Sequence, residues 1–228
     1  MSTRRYALVA TVTPALNEER VIGRTLAAIP DVGWKVVADN GSTDQTAAVA
    51  EGAGAVVIAE PRRGYGQAVH TAATWALAQG AAYIAVVDAD HADAPERLPL
   101  LLEPLLRGEA DLVLSDRADL ALPDSLFPQQ RWGNALAVRG MAMAIGHRFR
   151  DMGPLRAMTA EAWHLLAQED RTWGWNVEMQ MKAVKRGLRV VELPAPYRVR
   201  EGVSKISGTV RGTLAAGRKI LTSIWRYR

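Results

Sequence analysis

Short apolar runs rich in β-branched residues alternate with stretches of helical spacing through the first half of the chain. Ala7 to Val12, Trp34 to Ala38, Ala55 to Ala59, Tyr83 to Val87 and Leu112 to Leu114 predict strands. Glu18 to Ala28, Thr43 to Gly52, Gly66 to Gln79 and Glu96 to Arg107 predict the helices between them, the last interrupted at Pro99 and Pro104. This order predicts an α/β fold with a mostly parallel central sheet flanked by helices. Such sheets bind ligands at the carboxyl ends of their strands. The polar residues collect there: Thr13 to Glu18, Asp39 to Ser42, Arg62 to Gly66, Asp88 to Asp90 and Ser115 to Arg117.

The second half opens with a proline-broken loop, Leu120 to Gln130. Arg131 to Ile145, Ala160 to Gln168 and Val177 to Arg186 predict helices, and Leu155 to Met158 and Arg189 to Leu193 predict strands. The last segment, Thr209 to Arg228, sets Val210, Leu214, Leu221, Ile224 and Trp225 at near-helical spacing among Arg211, Arg218, Lys219, Arg226 and Arg228. It predicts a basic amphipathic helix, weakened by Gly212 and Gly217.

The net charge of +4 conceals a gradient. Residues 1–121 hold 10 Lys/Arg against 16 Asp/Glu, and residues 198–228 hold 8 against 1. A basic end behind an acidic half suits an anionic partner, whether a phosphate-bearing acceptor, a lipid surface or nucleic acid; a solvated helix face explains it equally. Cysteine is absent, which excludes disulfides and thiolate metal sites and makes a reducing, cytoplasmic location the simplest expectation. The amino terminus leads directly into a strand-like run, and no stretch has the roughly 18 apolar residues of a spanning helix. The expected protein is soluble or peripheral to a membrane.

Two clusters suggest chemistry. Asp88-Ala89-Asp90 follows the apolar run Tyr83 to Val87, so two carboxylates emerge together at a strand end, where their repulsion calls for a cation. Oxygen ligands beside a diphosphate suit Mg²⁺ or Mn²⁺, with His91 and Asp93 near enough to join or orient the site. Asp39-Asn40-Gly41-Ser42-Thr43-Asp44 closes the second strand. There Asp39 can accept a hydrogen bond from a nucleobase and Gly41 permits close backbone approach; an Asx turn before a helix cap reads equally well.

In this order and spacing the motifs resemble the family 2 glycosyltransferases of the GT-A (Rossmann-like) fold, among them the polyprenyl-phosphate (dolichyl-phosphate-like) mannose and glucose synthases. Thr13-Pro14-Ala15-Leu16-Asn17-Glu18 is similar to the opening Pro-x-x-Asn-Glu, and Asp39 to Asp44 to Asp-Asp/Asn-Gly-Ser-x-Asp. Arg63-Gly64-Tyr65-Gly66-Gln67-Ala68 resembles the Gly-x-Gly-x-Ala turn, and Asp88-Ala89-Asp90 the metal-binding Asp-x-Asp. Ser115-Asp116-Arg117 resembles a Gly-Ser-Arg segment, and Arg200 to Lys205 the Arg-x-x-Gly-x-Ser-Lys element of the lipid-phosphate branch. Ala92 stands where the branch usually has Gln, and Asp116 where Gly is common. Relatives often continue into spanning helices beyond the point corresponding to Arg228.

The resemblance implies a catalytic domain over 1–207, with 1–121 binding a nucleotide sugar and 122–207 facing the acceptor, followed by the helix at 208–228. It implies inverting transfer of a hexose from a UDP- or GDP-sugar, with a metal at Asp88 and Asp90 and donor contacts from Pro14, Asn17, Glu18, Asp39, Gly41, Gly64, Gln67 and Ala89. A polyprenyl phosphate acceptor needs cations, for which Arg117, Arg131, Arg200 and Lys205, with Ser204, are the candidates. An alcohol acceptor needs a base instead, and Glu178 falls where the family often has an acidic residue. Trp173 and Trp175 either stack on a sugar or fill the core. A nucleic-acid partner is not expected, and self-association stays open. The competing classes are a sugar nucleotidyltransferase, disfavoured because Val12 to Asn17 contains no glycine, and an inactive nucleotide-sugar-binding module.

Overall fold

The computed structural model describes residues 5–122, 125, 128–201 and 210–228. One seven-stranded sheet runs through it in the order β3-β2-β1-β4-β6-β5-β7. Its strands are β1 (Val9–Ala15), β2 (Trp34–Asp39), β3 (Val56–Ala59), β4 (Tyr83–Val86), β5 (Leu112–Asp116), β6 (Arg156–Thr159) and β7 (Val190–Pro194). Every pairing is parallel except those of β6, which runs antiparallel to β4 and β5. The helices are α1 (Ile22–Ala28), α2 (Thr46–Gly52), α3 (Tyr65–Ala78), α4 (Leu98–Leu106), α5 (Pro128–Ile145), α6 (Ala160–Leu166), α7 (Trp175–Lys185) and α8 (Val210–Tyr227).

The two-residue period of the strands divides the core between two faces. Ala10, Val12, Val36, Ala38, Ile84, Val86, Leu112 and Leu114 share one apolar cluster with α3, α7 and the ends of α5 and α8. Val9, Val37, Ala85, Val87 and Val113 point the other way, onto α1 and α4. Helix α3 lies close to the sheet because it presents Ala68, Ala72, Ala73 and Ala76, all fully buried.

Three of the differences from the sequence expectation have identifiable reasons. Strand β1 runs on through Pro14 to Ala15, so the strand end sits three residues later than Val12. Helix α1 starts at Ile22 rather than Glu18, because Asn17 adopts a left-handed φ of 50° and the Glu18 carbonyl accepts the amides of Val21 and Ile22 in a turn. Helix α4 passes through Pro104 without a break: Pro99 occupies the first turn, where its missing N–H is no loss, and Pro104 falls just before the helix ends.

The carboxyl-terminal helix docks on α5 and α7. The predicted apolar stripe is divided: Ile224 is buried, with Tyr227 beside it, whereas Leu221 and Trp225 face solvent; the side chains of Val210 and Leu214 lie outside those described. Lys185 of α7 donates to the carbonyls of Tyr227 and Arg228, Arg226 pairs with Glu169 at 3.0 Å, and Lys219 pairs with Asp170 at 2.7 Å.

Candidate active site

The carboxyl ends of β1, β2 and β4 open onto a cavity of about 770 Å³. Pro14, Glu18, Gly64, Asp88, Ala89 and Asp90 line it, as does Arg200, so six of the expected donor residues and one expected acceptor residue come together. Asn40, Arg63 and Tyr65, which belong to the polar strand-end clusters but were given no contact of their own, complete much of the wall with Thr172, Trp173, Asn176 and Lys219, of which only Trp173 was weighed for the site.

Two loops are tied together at the donor end. Asn17 accepts the Thr43 amide at 2.7 Å and donates its own amide to Ser42 Oγ at 2.9 Å. Asn40 holds the β3–α3 loop at three points, donating to the carbonyls of Glu60 and Arg62 and accepting the Gly64 amide at 2.9 Å. Asp39 accepts the Ser42 amide at 3.3 Å through each oxygen, an Asx turn at the end of β2. Gly41 has φ +80°, a conformation that favours glycine, and packs near the Arg63 guanidinium. A Cβ at Gly64 would lie 2.2 Å from the Arg171 carbonyl oxygen, so that loop and the 167–174 segment meet backbone to backbone.

Asp88 and Asp90 stand on the cavity wall immediately after β4. Desolvation and the neighbouring Asp90 push the Asp88 carboxyl up to about 6, although the Tyr65 hydroxyl donates to it at 2.9 Å. Asp93, buried behind them, is raised well above the carboxylate range by burial and then by Asp88 and Asp90. Its Oδ2 has no hydrogen-bond partner. Asp90 accepts the Ala92 amide through Oδ1 at 3.0 Å and lies 3.2 Å from Arg200 Nε through Oδ2. Repelling carboxylates on a pocket wall, all oxygen donors, fit Mg²⁺ or Mn²⁺. Among the described residues no three His, Cys, Asp or Glu side chains converge to hold a metal by themselves, so the fit is to an ion shared with a ligand's oxygens.

A second cation lies behind this wall. Arg156 on β6 is fully buried, donates to the carbonyls of Pro154 and Gly153, and has its guanidinium 5.5 Å from the centre of the Trp175 ring. Burial lowers its proton affinity, and the charges of Asp88 and Asp93 oppose that effect.

Several expected site residues are engaged elsewhere. Gln67 donates to Glu60 at 2.8 Å and its amide goes to the Arg171 carbonyl, which holds it off the cavity wall. Arg117 is locked to Asp151 by Nε at 2.6 Å and Nη2 at 2.9 Å and stacks on Tyr197, so its guanidinium serves that pair rather than an acceptor phosphate. Arg131 is exposed near the start of α5, outside the cavity lining. Glu178 is fully buried: it accepts the amides of Glu169 and Asp170 at 2.8 and 2.6 Å and pairs with Lys182 at 2.5 Å, which removes it as a base for an acceptor alcohol. Ser204 and Lys205 lie outside the described residues. Of the two tryptophans, Trp175 is core at 1% exposure and Trp173 lines the cavity at 43%.

Residues 11–154 match the family model for glycosyl transferase family 2. An uncharacterised glycosyltransferase of Mycobacterium tuberculosis is 39% identical over 213 residues, which cover 91% of this chain and 94% of the relative. A dolichyl-phosphate hexose transferase of Haloferax volcanii is 31% identical over 217 residues, covering 93% and 92%. Among solved structures, glucosyl-3-phosphoglycerate synthase from Mycobacterium tuberculosis, in complex with Mn²⁺, uridine diphosphate and phosphoglyceric acid, has a TM-score of 0.74 at 22% identity over 98% of this chain and 81% of that one. That likeness concerns the fold, which is GT-A. The sugar nucleotidyltransferase and inactive-module readings give way to these matches. With the carboxylate-bearing end of β4 inside the matched residues and relatives aligned along nearly its whole length, the chain belongs to the family 2 glycosyltransferases and is an enzyme of the hexosyltransferase class.

Proposed function

We propose that the enzyme moves a hexose from a UDP- or GDP-sugar to a polyprenyl phosphate, with inversion, at the cytoplasmic face of a membrane. The observation that carries the donor half is the pair Asp88 and Asp90 on the wall of a cavity of about 770 Å³, which Asn40 of the β2 turn and the cationic side chains Arg63, Arg200 and Lys219 also line. An acceptor phosphate oxygen attacks the anomeric carbon, the bond from that carbon to the donor diphosphate breaks, and the nucleoside diphosphate leaves. Asp88 and Asp90 would hold a divalent ion, which would supply charge stabilisation to the departing diphosphate. Arg63 adds a cation on the donor side, and Trp173 gives the sugar an aromatic face.

A phosphate acceptor is already anionic and needs no base, which agrees with the burial of Glu178. The dolichyl-phosphate relative supports this acceptor. A soluble phosphorylated acceptor is the second reading, favoured by the fold shared with the phosphoglycerate-bound enzyme and by Lys219, which brings α8 itself into the cavity wall.

A thermal-shift panel of UDP-, GDP- and dTDP-sugars tests the donor half. One base should raise the melting temperature with Mn²⁺ and lose most of the effect in excess chelator; equal shifts with and without metal contradict it. Asp39→Ala should weaken binding of the free nucleoside diphosphate about tenfold by removing a base contact, and unchanged affinity would show that Asp39 only shapes its turn.

No helix among the described residues is long and apolar enough to cross a membrane. The outward Leu221 and Trp225, with Arg218, Arg226 and Arg228, support attachment at the interface. Co-sedimentation with anionic liposomes should fall as salt rises and fall further in Leu221→Ser/Trp225→Ser. Salt-independent binding, or none, contradicts this attachment.

A further inference from the structure

Among the described residues, Arg200 is a cavity cation that contacts the donor-side carboxylates. Its Nη2 donates to Glu18 at 3.1 Å and its Nε lies 3.2 Å from Asp90 Oδ2. The second contact brings the charges together without a hydrogen bond, because the Nε–H is buried and has no acceptor in line. The backbone around it is fixed independently. The Arg198 amide donates to the Ala92 carbonyl at 2.7 Å, the Glu201 amide to the Asp90 carbonyl at 3.3 Å, and the Glu201 side chain pairs with Arg24. The Arg200 side chain can therefore leave the carboxylates while its segment stays in place.

We infer that Arg200 is a positioning residue that neutralises Asp90 and Glu18 before the donor binds and is turned toward the acceptor phosphate when a divalent ion takes over Asp90. The inference rests on the metal reading above and adds an order to it. Two cations cannot share one carboxylate oxygen without repulsion, so loading of the ion weakens the hold on Arg200. A side chain with an unsatisfied N–H then seeks an oxygen, and an acceptor phosphate offers several. Coupling of this kind is reciprocal: a phosphate that draws Arg200 away must tighten metal binding by the same factor. The acceptor cation thus becomes available only at a loaded donor site, which disfavours binding of acceptor alone.

The test is a Mn²⁺ titration followed by the electron paramagnetic resonance signal of the free ion, on the full chain without donor sugar. Arg200→Gln should bind Mn²⁺ at least roughly three- to tenfold more tightly than the native chain, the effect of removing one nearby unit charge from a divalent site at water-like screening, which the burial of Asp90 can only enlarge. Arg200→Lys, which keeps the charge, should stay near the native affinity. Saturating farnesyl phosphate should tighten Mn²⁺ binding to the native chain and leave Arg200→Gln unchanged. Equal or weaker Mn²⁺ binding by Arg200→Gln, the same tightening in Arg200→Lys, or a farnesyl phosphate effect that persists in Arg200→Gln overturns the inference alone. Absence of Mn²⁺ binding to every chain, even with UDP or GDP added, overturns the metal reading and this inference together.

Discussion

Asp90→Ala is expected to lower sugar transfer at least about a hundredfold, the loss that follows removal of charge stabilisation from a leaving group. The fold should survive. Asp90 loses its hydrogen bond from the Ala92 amide, at about 1 kcal/mol, and relief of the repulsion with Asp88 and Asp93 offsets part of that. Initial rates at saturating donor, together with a melting curve, check the prediction. A variant that melts within a few degrees of the native chain and transfers sugar at a similar rate would show that Asp90 is not part of the metal site.

The second large effect is on stability. Glu178→Ala should destabilise the chain by about 2 to 4 kcal/mol, because it leaves two backbone amides without their carboxylate and takes from the buried Lys182 its closest partner, leaving it the Ala167 carbonyl at 2.8 Å and Glu169 at 3.5 Å. The amides belong to Glu169 and Asp170, the residues that also clasp Arg226 and Lys219 of α8. Loss of Glu178 should therefore loosen the loop bearing Thr172 and Trp173 at the cavity rim. Denaturant unfolding gives the stability, and activity per folded molecule separates the roles. A stable Glu178→Ala protein with no activity would restore Glu178 as a catalytic base.

Some of this was legible in the sequence for a physical reason. The run Tyr83 to Val87 could only be a buried strand, so the carboxylates after it had to emerge at its end, and Asp88 and Asp90 do line the cavity. The α8 segment was readable because its basic residues and apolar positions keep helical spacing. Local patterns could not show long-range partners. Arg117 looked available because Asp151, which holds it, lies 34 residues away. Arg156 gave no signal at all, since one arginine in an apolar strand reads as an edge position. The Glu178 role was readable in part: Lys182 follows at the i+4 spacing of a helical ion pair, and only the depth of burial was hidden. The helix start at Ile22 was hidden in the left-handed backbone of Asn17, which responds to Ser42 and Thr43 on a neighbouring loop.

The most direct measurement is a transfer assay on the purified chain with radiolabelled UDP-glucose or GDP-mannose, Mn²⁺, and either a polyprenyl phosphate or 3-phosphoglycerate. The account predicts label in the organic phase from one donor, dependent on the polyprenyl phosphate and abolished by excess chelator. Label that remains water-soluble in the presence of polyprenyl phosphate and passes instead to 3-phosphoglycerate, or transfer undiminished by chelator, would contradict it.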